Sequence, residues 1–186
     1  MRIFFFLVLL LCPFGEIFAG DLYYEIVHGI NLIRVQNGLG TLSVNRQLCS
    51  AAQSQSDWMA RVRRMDHLRA CPAKFDEFKV CNYHPVNRVI NSGYFKFEEL
   101  FDLVYNPDGS GVVSNPKPIA NTNIGEIIAA GRGQGPDLYH SSVILRGWMN
   151  SPGHRKAILT PNFKEFGVGI RGIPGEVYWC VVFANR

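Results

Sequence analysis

Three polar side chains stand in otherwise apolar or glycine-rich surroundings and carry the donors that metal or proton chemistry needs: His67, Glu126 and His154. His154 is the most informative, because Ser151-Pro152 reads as a helix start, the serine as N-cap and the proline at the first helical position. His154 then falls at the third helical position, where the positive end of the helix dipole disfavours imidazolium. A neutral imidazole is the form that binds a metal or accepts a proton. Each residue also has a plainer reading: His67 as a surface residue just past a helix, Glu126 as the opening of a strand or turn, His154 as decoration of a first turn. Ser151 as a nucleophile with His154 as its base is opposed by the spacing, since capping occupies the hydroxyl and no GxSxG elbow is present. No Walker loop, HExxH pair or dinucleotide fingerprint occurs, and His28 and His84 read as surface residues.

The amino terminus decides the compartment in which that chemistry would run. One cation, Arg2, precedes an apolar run from Ile3 to Leu11, followed by Pro13, Gly15 and Ala19, which is a secretory signal pattern. Residues 1–19 are expected to be cleaved after Ala19, leaving 20–186 as one domain. The run is shorter than the roughly 20 residues that a transmembrane helix needs, and no later segment qualifies. The formal net charge of +4 is unchanged by the cut, which removes Arg2 and Glu16 together. So mild an excess does not argue for a nucleic-acid partner, and Arg61, Arg63, Arg64 and Arg69 read as a solvated helix face. Export makes Cys49, Cys71, Cys81 and Cys180 candidates for two disulfides. Of the three possible pairings, the short spacing favours Cys71 with Cys81, and so Cys49 with Cys180. Zinc held by these cysteines is disfavoured, because no CxxC pair is present.

Hydrophobic periodicity supplies the elements that must position these groups. Leu22, Ile26, Ile30 and Ile33 mark a first helix over 21–37, stopped by Gly38 and Gly40. Leu48, Ala51, Ala52, Gln55, Met59 and Val62 mark a second, capped by Asn45, whose end near Met65 delivers His67 into a loop. From Cys71 to Thr122 prolines and glycines predict mostly loop, with a short helix over 97–105 and exposed connection over 106–118. A buried helix is expected over 137–150, with Asp137 as its cap, and a further helix follows from Pro152. Phe163–Ile170 and Val177–Phe183 read as an antiparallel hairpin turning at Gly172, Pro174 and Gly175. Helices early and strands late predict an α+β layered domain.

The string GWMNSPGHRKAILTPNFKEFGVGI, from Gly147 to Ile170, resembles the CAP family (cysteine-rich secretory, antigen 5 and pathogenesis-related 1 proteins), especially its bacterial branch. Agreeing features run along nearly all of the mature chain: Asn31, Arg34, Gly38, Leu42 and Leu48; the His67 loop; Asn87-Arg88-Val89 and Gly93-Tyr94; Asn123-Ile124-Gly125-Glu126; and Tyr178-Trp179-Cys180-Val181-Val182-Phe183. The resemblance implies a three-layer α/β/α sandwich with a central antiparallel sheet and a cleft where histidines and acidic residues gather. His67, Glu126 and His154 match three cleft positions. A fourth, glutamate in many eukaryotic members, falls on Ser151, as in bacterial relatives. A usual asparagine is Ile127 here and a common glutamine is Val181, departures expected to strip polar groups from the cleft region. The stretch from about Phe95 to Pro118 looks inserted relative to compact bacterial members and is expected either to lie beside the cleft and modulate access or to be an inert surface excursion. Family activity is diverse, so two readings stay open. The first is a secreted, monomeric binding module for a lipid, glycan or protein, its His67 and His154 able to hold zinc or another divalent metal. The second is a metal-assisted extracellular peptidase or esterase in which Glu126 activates water.

Overall fold

A computed structural model describes residues 14–69, 84–105, 112–116, 124–133 and 140–186. Helix α1 (Phe14–Gln36) buries Leu22, Ile26 and Ile30, as the periodicity predicts. Arg34 lies on the buried side as well. Its guanidinium donates to the carbonyls of Gly40 (2.9 Å), Ile158 (2.7 Å) and Thr160 (3.0 Å), fastening the end of α1 to a distant turn. After the two-residue strand β1 (Ser43–Val44), Asn45 caps helix α2 (Arg46–Val62), its side chain accepting from the backbone of Gln47 at 2.9 Å and Leu48 at 3.3 Å. Helix α2 ends on Arg63 in the left-handed conformation, φ 51°. The reversal there starts the loop that carries His67.

Helices α3 (Pro85–Asn91) and α4 (Phe97–Leu100) follow, then strands β2 (Phe101–Tyr105), β3 (Val112–Pro116) and β4 (Ile124–Arg132). Helices α5 (Ser141–Asn150) and α6 (Pro152–Ile158) precede the hairpin of β5 (Glu165–Ile173) and β6 (Glu176–Ala184). The main sheet has the order β1-β5-β6-β4, antiparallel except for the short parallel pairing of β1 with β5. Central strand β6 alternates cleanly between two cores. Tyr178, Cys180, Val182 and Ala184 pack with α2 and α3, whereas Val177, Trp179, Val181 and Phe183 pack with α1, α5 and α6. The result is the expected α+β three-layer sandwich.

The α2 layer sits unusually close to the sheet. A Cβ at Gly167 would stand 2.1 Å from the Cys49 nitrogen, and one at Gly169 would stand 2.3 Å from the Ala52 carbonyl carbon, so helix backbone rests directly on strand backbone. Side chains then fasten the contact. Ser56 Oγ donates to the Gly169 carbonyl at 2.8 Å, and the Gln53 amide both donates to and accepts from the backbone of Ile170.

Three expectations change. The helix over 97–105 stops at Leu100, and Phe101–Tyr105 instead pairs antiparallel with Val112–Pro116 as a separate two-stranded sheet, so part of the stretch expected to be bare connection is strand. The apolar spacing of Phe97, Leu100, Phe101 and Val104 fits a helix, but cross-strand partners at Val112 and Val113 offer β pairing that the periodicity of one segment cannot show. Asp137, the expected cap, lies outside the described residues, and α5 starts at Ser141 after His140. The expected Cys49–Cys180 bridge is not formed. Both are free thiols, and their sulfurs have separate neighbours: Cys49 Sγ stands 3.6 Å from the Tyr23 hydroxyl, while Cys180 Sγ faces Glu126. Cys71 and Cys81 lie outside the described residues.

Two outcomes are expected. Gly167→Ala should lower unfolding stability by about 3 kcal/mol in chemical denaturation, the upper end of ordinary overpacking, because backbone rather than a pliable side chain obstructs the new methyl; a change under ~0.5 kcal/mol would contradict the close contact. Alkylation followed by peptide mass mapping should label Cys49 in the native protein and Cys180 only after unfolding, since burial pushes the Cys180 thiol up. Recovery of a Cys49–Cys180 disulfide peptide would contradict the structure.

Candidate functional site

The site grows from edge strand β4. Glu126 alternates to the α2 side with Ile124 and Ile128, and the fold leaves its side chain only 2% exposed. A buried carboxylate needs a counter-charge and hydrogen bonds. Arg88 of α3, itself fully buried, supplies both: Nη2 lies 2.6 Å from Glu126 Oε2 and also donates to the His67 carbonyl at 3.1 Å. Removing one partner of such a buried pair typically costs ~3–5 kcal/mol, because the other charge is left uncompensated.

The other carboxylate oxygen orients a histidine. His67 Nδ1 lies 2.9 Å from Glu126 Oε1, and a carboxylate can only accept, so Nδ1 carries the hydrogen. That tautomer leaves Nε2 with a free lone pair on a side chain that is 43% exposed. Carboxylate behind imidazole is the arrangement that fixes ring orientation and tautomer in metal-binding histidines. The Arg88 bond to the His67 carbonyl holds the same residue from its backbone side.

His154 approaches from the opposite layer, on α6, which packs against β4. Its pKa is lowered from 6.5, first by burial and then by the charge of His67, so the two imidazoles sense one another and His154 is neutral at physiological pH. Ser151 stands three residues earlier with the extended backbone of an N-cap, φ −94° and ψ 118°, but its side chain makes no capping hydrogen bond. The expectation that capping occupies this hydroxyl is therefore corrected. Its carbonyl nevertheless accepts from the Arg155 N–H at 2.8 Å and closes the first turn of α6.

Two arginines belong to this neighbourhood that residue-type reasoning did not select. Arg88 is legible only as part of Asn87-Arg88-Val89, one of the strings that carry the resemblance. Arg69 had been read as part of a solvated face. It is buried instead, bonding Gln55 Oε1 at 2.7 Å and Ser54 Oγ at 3.1 Å and stacking 5.8 Å over Trp58. Burial and the nearby Arg88 lower its pKa to about 10. Ile127 and Val181 also prove to be direct cross-strand partners, both packed into the core on the α1 side, away from the Glu126 face. The two apolar departures thus answer one another across the sheet and leave the Glu126 constellation untouched.

The sequence model of the cysteine-rich secretory protein family, CAP, matches residues 27–183. Among solved structures, an extracellular protein containing an SCP domain from Bacillus anthracis is similar at a TM-score of 0.60 and 21% identity, over 90% of this chain and 41% of that one. An outer surface protein from Borrelia burgdorferi is similar at 0.56 and 17% identity, over 92% of this chain and 94% of that one. A cysteine-rich secretory protein from Staphylococcus aureus gives 0.52 and 14%, over 94% and 41%. The chain therefore spans under half the length of the Bacillus and Staphylococcus proteins. No curated protein sequence matches it significantly.

NMR titration should show His154 taking up its proton below pH 6.5, and His67→Gln should move that titration upward by removing the second cause. The unfolded chain takes up this proton first as pH falls. His154 therefore contributes a loss of stability from pH 6.5 down through its folded value, and no loss above that window. Titration of His154 at or above 6.5 would contradict the site.

Proposed function

The chain belongs to the cysteine-rich secretory protein (CAP) family, and on that premise we propose that it is an exported binding module whose cleft holds a divalent transition metal, zinc foremost, on His67 and His154. The observation that carries the reading is Glu126 held between Arg88 and His67, which prepares one imidazole as a ligand while the site keeps the other neutral. Two imidazoles suit zinc, nickel or copper. Among the described residues no cluster of three or more His, Cys, Asp or Glu side chains could hold a metal, so the remaining positions fall to water or to the bound ligand, and affinity is modest. Ser151, with no capping bond, is available as a further polar contact for a ligand. The extracellular partner is a lipid, glycan or protein.

Export is supported by the leader pattern and by relatives described as extracellular and outer-surface proteins. Cleavage after Ala19 would leave the buried stripe of α1 from Leu22 onward intact. No described helix is long and apolar enough to cross a membrane.

Metal-assisted hydrolysis is the second reading, and the geometry gives it less support. A general base must reach water with a lone pair. Glu126 is almost fully buried, with Oε1 engaged by His67 and Oε2 by Arg88 and, at 3.5 Å, by Cys180 Sγ. Its work is orientation rather than proton abstraction.

Zinc titration calorimetry should show binding by the wild type and none by His67→Ala or His154→Ala, with Glu126→Gln weakened roughly 10- to 100-fold as an orienting partner. Binding should decline below about pH 6 as protons compete for the imidazoles. Equal affinity in all four proteins would exclude the site. Zinc-dependent turnover of peptide or ester libraries, absent from His154→Ala, would favour the hydrolase instead.

A further inference from the structure

Where α2, β4 and the β5–β6 turn meet, one end of the main sheet carries positive charge and apolar surface together. Helix α2 and the turn after it run Arg61-Val62-Arg63-Arg64-Met65, every residue exposed, with Val62 at 43% and Met65 at 51%. Arg132, the last residue of β4, joins them: Nη2 donates to the Arg63 carbonyl at 2.7 Å. Arg132 and Arg63 also face the same oxygen of Glu176, at 3.8 and 3.9 Å, too far for a hydrogen bond. Glu176 is itself turned inward and accepts from the Tyr178 hydroxyl. Arg64 lies 3.3 Å from Asp66 and passes over the Trp58 ring at 5.7 Å. Among the described residues, two carboxylates, Glu176 and Asp66, thus answer four guanidinium groups, Arg61, Arg63, Arg64 and Arg132. The nearby Arg171 and Asp57 pair with one another and balance.

Folding does not account for this choice of residues. Cations gain from the dipole at a helix C-terminus, which covers Arg61, Arg63 and Arg64. Arg132 comes from a strand and gains nothing from it. Arg63 is moreover the one non-glycine residue among those described with a positive φ, 51°, a conformation that glycine adopts without steric cost and commonly supplies at helix ends. Val62 and Met65 belong to neither core cluster, so their apolar side chains sit in water between like charges.

We propose that this end of the molecule docks onto an anionic lipid surface, the arginines meeting headgroup phosphates while Val62 and Met65 enter the interfacial layer. A soluble polyanion would engage the arginines and leave the apolar side chains in water, whereas a bilayer surface satisfies both. The attachment is peripheral, since no described helix is long and apolar enough to cross a membrane. It concerns the whole protein on a bilayer rather than a ligand in the histidine cleft, and it does not depend on the proposed metal ligands.

Co-sedimentation of the mature protein with vesicles tests the assignment, with EDTA present throughout to remove divalent metal. Vesicles of phosphatidylcholine mixed with phosphatidylglycerol should bind the protein, phosphatidylcholine alone should not, and added sodium chloride should weaken the binding. Tryptophan emission should shift to shorter wavelength on binding, because Trp58 is partly exposed whereas Trp148 and Trp179 are buried. Arg63→Gly should weaken partitioning about fivefold, the share of one arginine near an anionic surface, and leave Tm unchanged or raised because glycine suits the turn. Arg61→Glu, a charge reversal, should weaken it further. Met65→Ser should weaken vesicle binding while leaving retention on a heparin column unchanged. Equal sedimentation with both vesicle types, or undiminished binding by Arg63→Gly and Arg61→Glu, would overturn the proposal. Retention on heparin without vesicle binding, or wild-type vesicle binding by Met65→Ser, would overturn it in favour of a soluble polyanion.

Discussion

Everything on the α2 side of the molecule depends on the near-contact of α2 with strand β5 at Gly167 and Gly169, where helix backbone lies on strand backbone with no side chain between. This spacing fixes the height of the helix above the sheet and brings Ser56 and Gln53 into reach of strand carbonyls. Helix α2 runs on to Val62. Arg63 reverses the chain there, and the loop that follows is tied back to the helix by Gln55, whose amide donates to the Asp66 carbonyl at 2.5 Å and accepts from Arg69. His67 lies between those two ties. Its position relative to β4 is therefore set by helix packing as much as by its bond to Glu126.

On that scaffold the chemistry is governed by one buried negative charge. Glu126 recruits a cation from α3 and an imidazole from the α2 loop, so three segments distant in sequence are held by a single carboxylate. A group so engaged makes a poor proton shuttle and a good positioning device. The distinction matters because the same residue types, a glutamate and two histidines, would support either hydrolysis or recognition if only identity and not hydrogen-bond occupancy were considered. Occupancy is what favours recognition here.

Much of this was legible beforehand, for identifiable reasons. The stripes of α1 and α2, the Asn45 cap and the final hairpin follow local rules of period and turn chemistry, and the structure reproduces them. The convergence of His67 with Glu126 was not local and came from resemblance alone. Arg69 was misjudged because a charged residue in an arginine-rich stretch reads as solvated until its partners are seen. The β2/β3 pair was missed for a related reason, since strand partners lie outside the window in which periodicity is read. Ser151 shows the opposite error: the residue type and backbone of a cap were present without the capping bond.

Strand β4 carries Glu126 and is also the outermost strand of the main sheet. An outer strand presents unpaired main-chain groups to which a strand from another molecule can add. Trp148 of α5 bears on this: its buried indole Nε1 donates to the Ile128 carbonyl at 3.0 Å, taking one of the acceptors on this strand. The tryptophan thus serves as a side-chain substitute for a neighbouring strand, two residues from the carboxylate. Indole packing from the α5 layer and the most constrained charge of the α2 layer are thereby joined through one strand, so a change at Trp148 is felt at Glu126 through the backbone of β4.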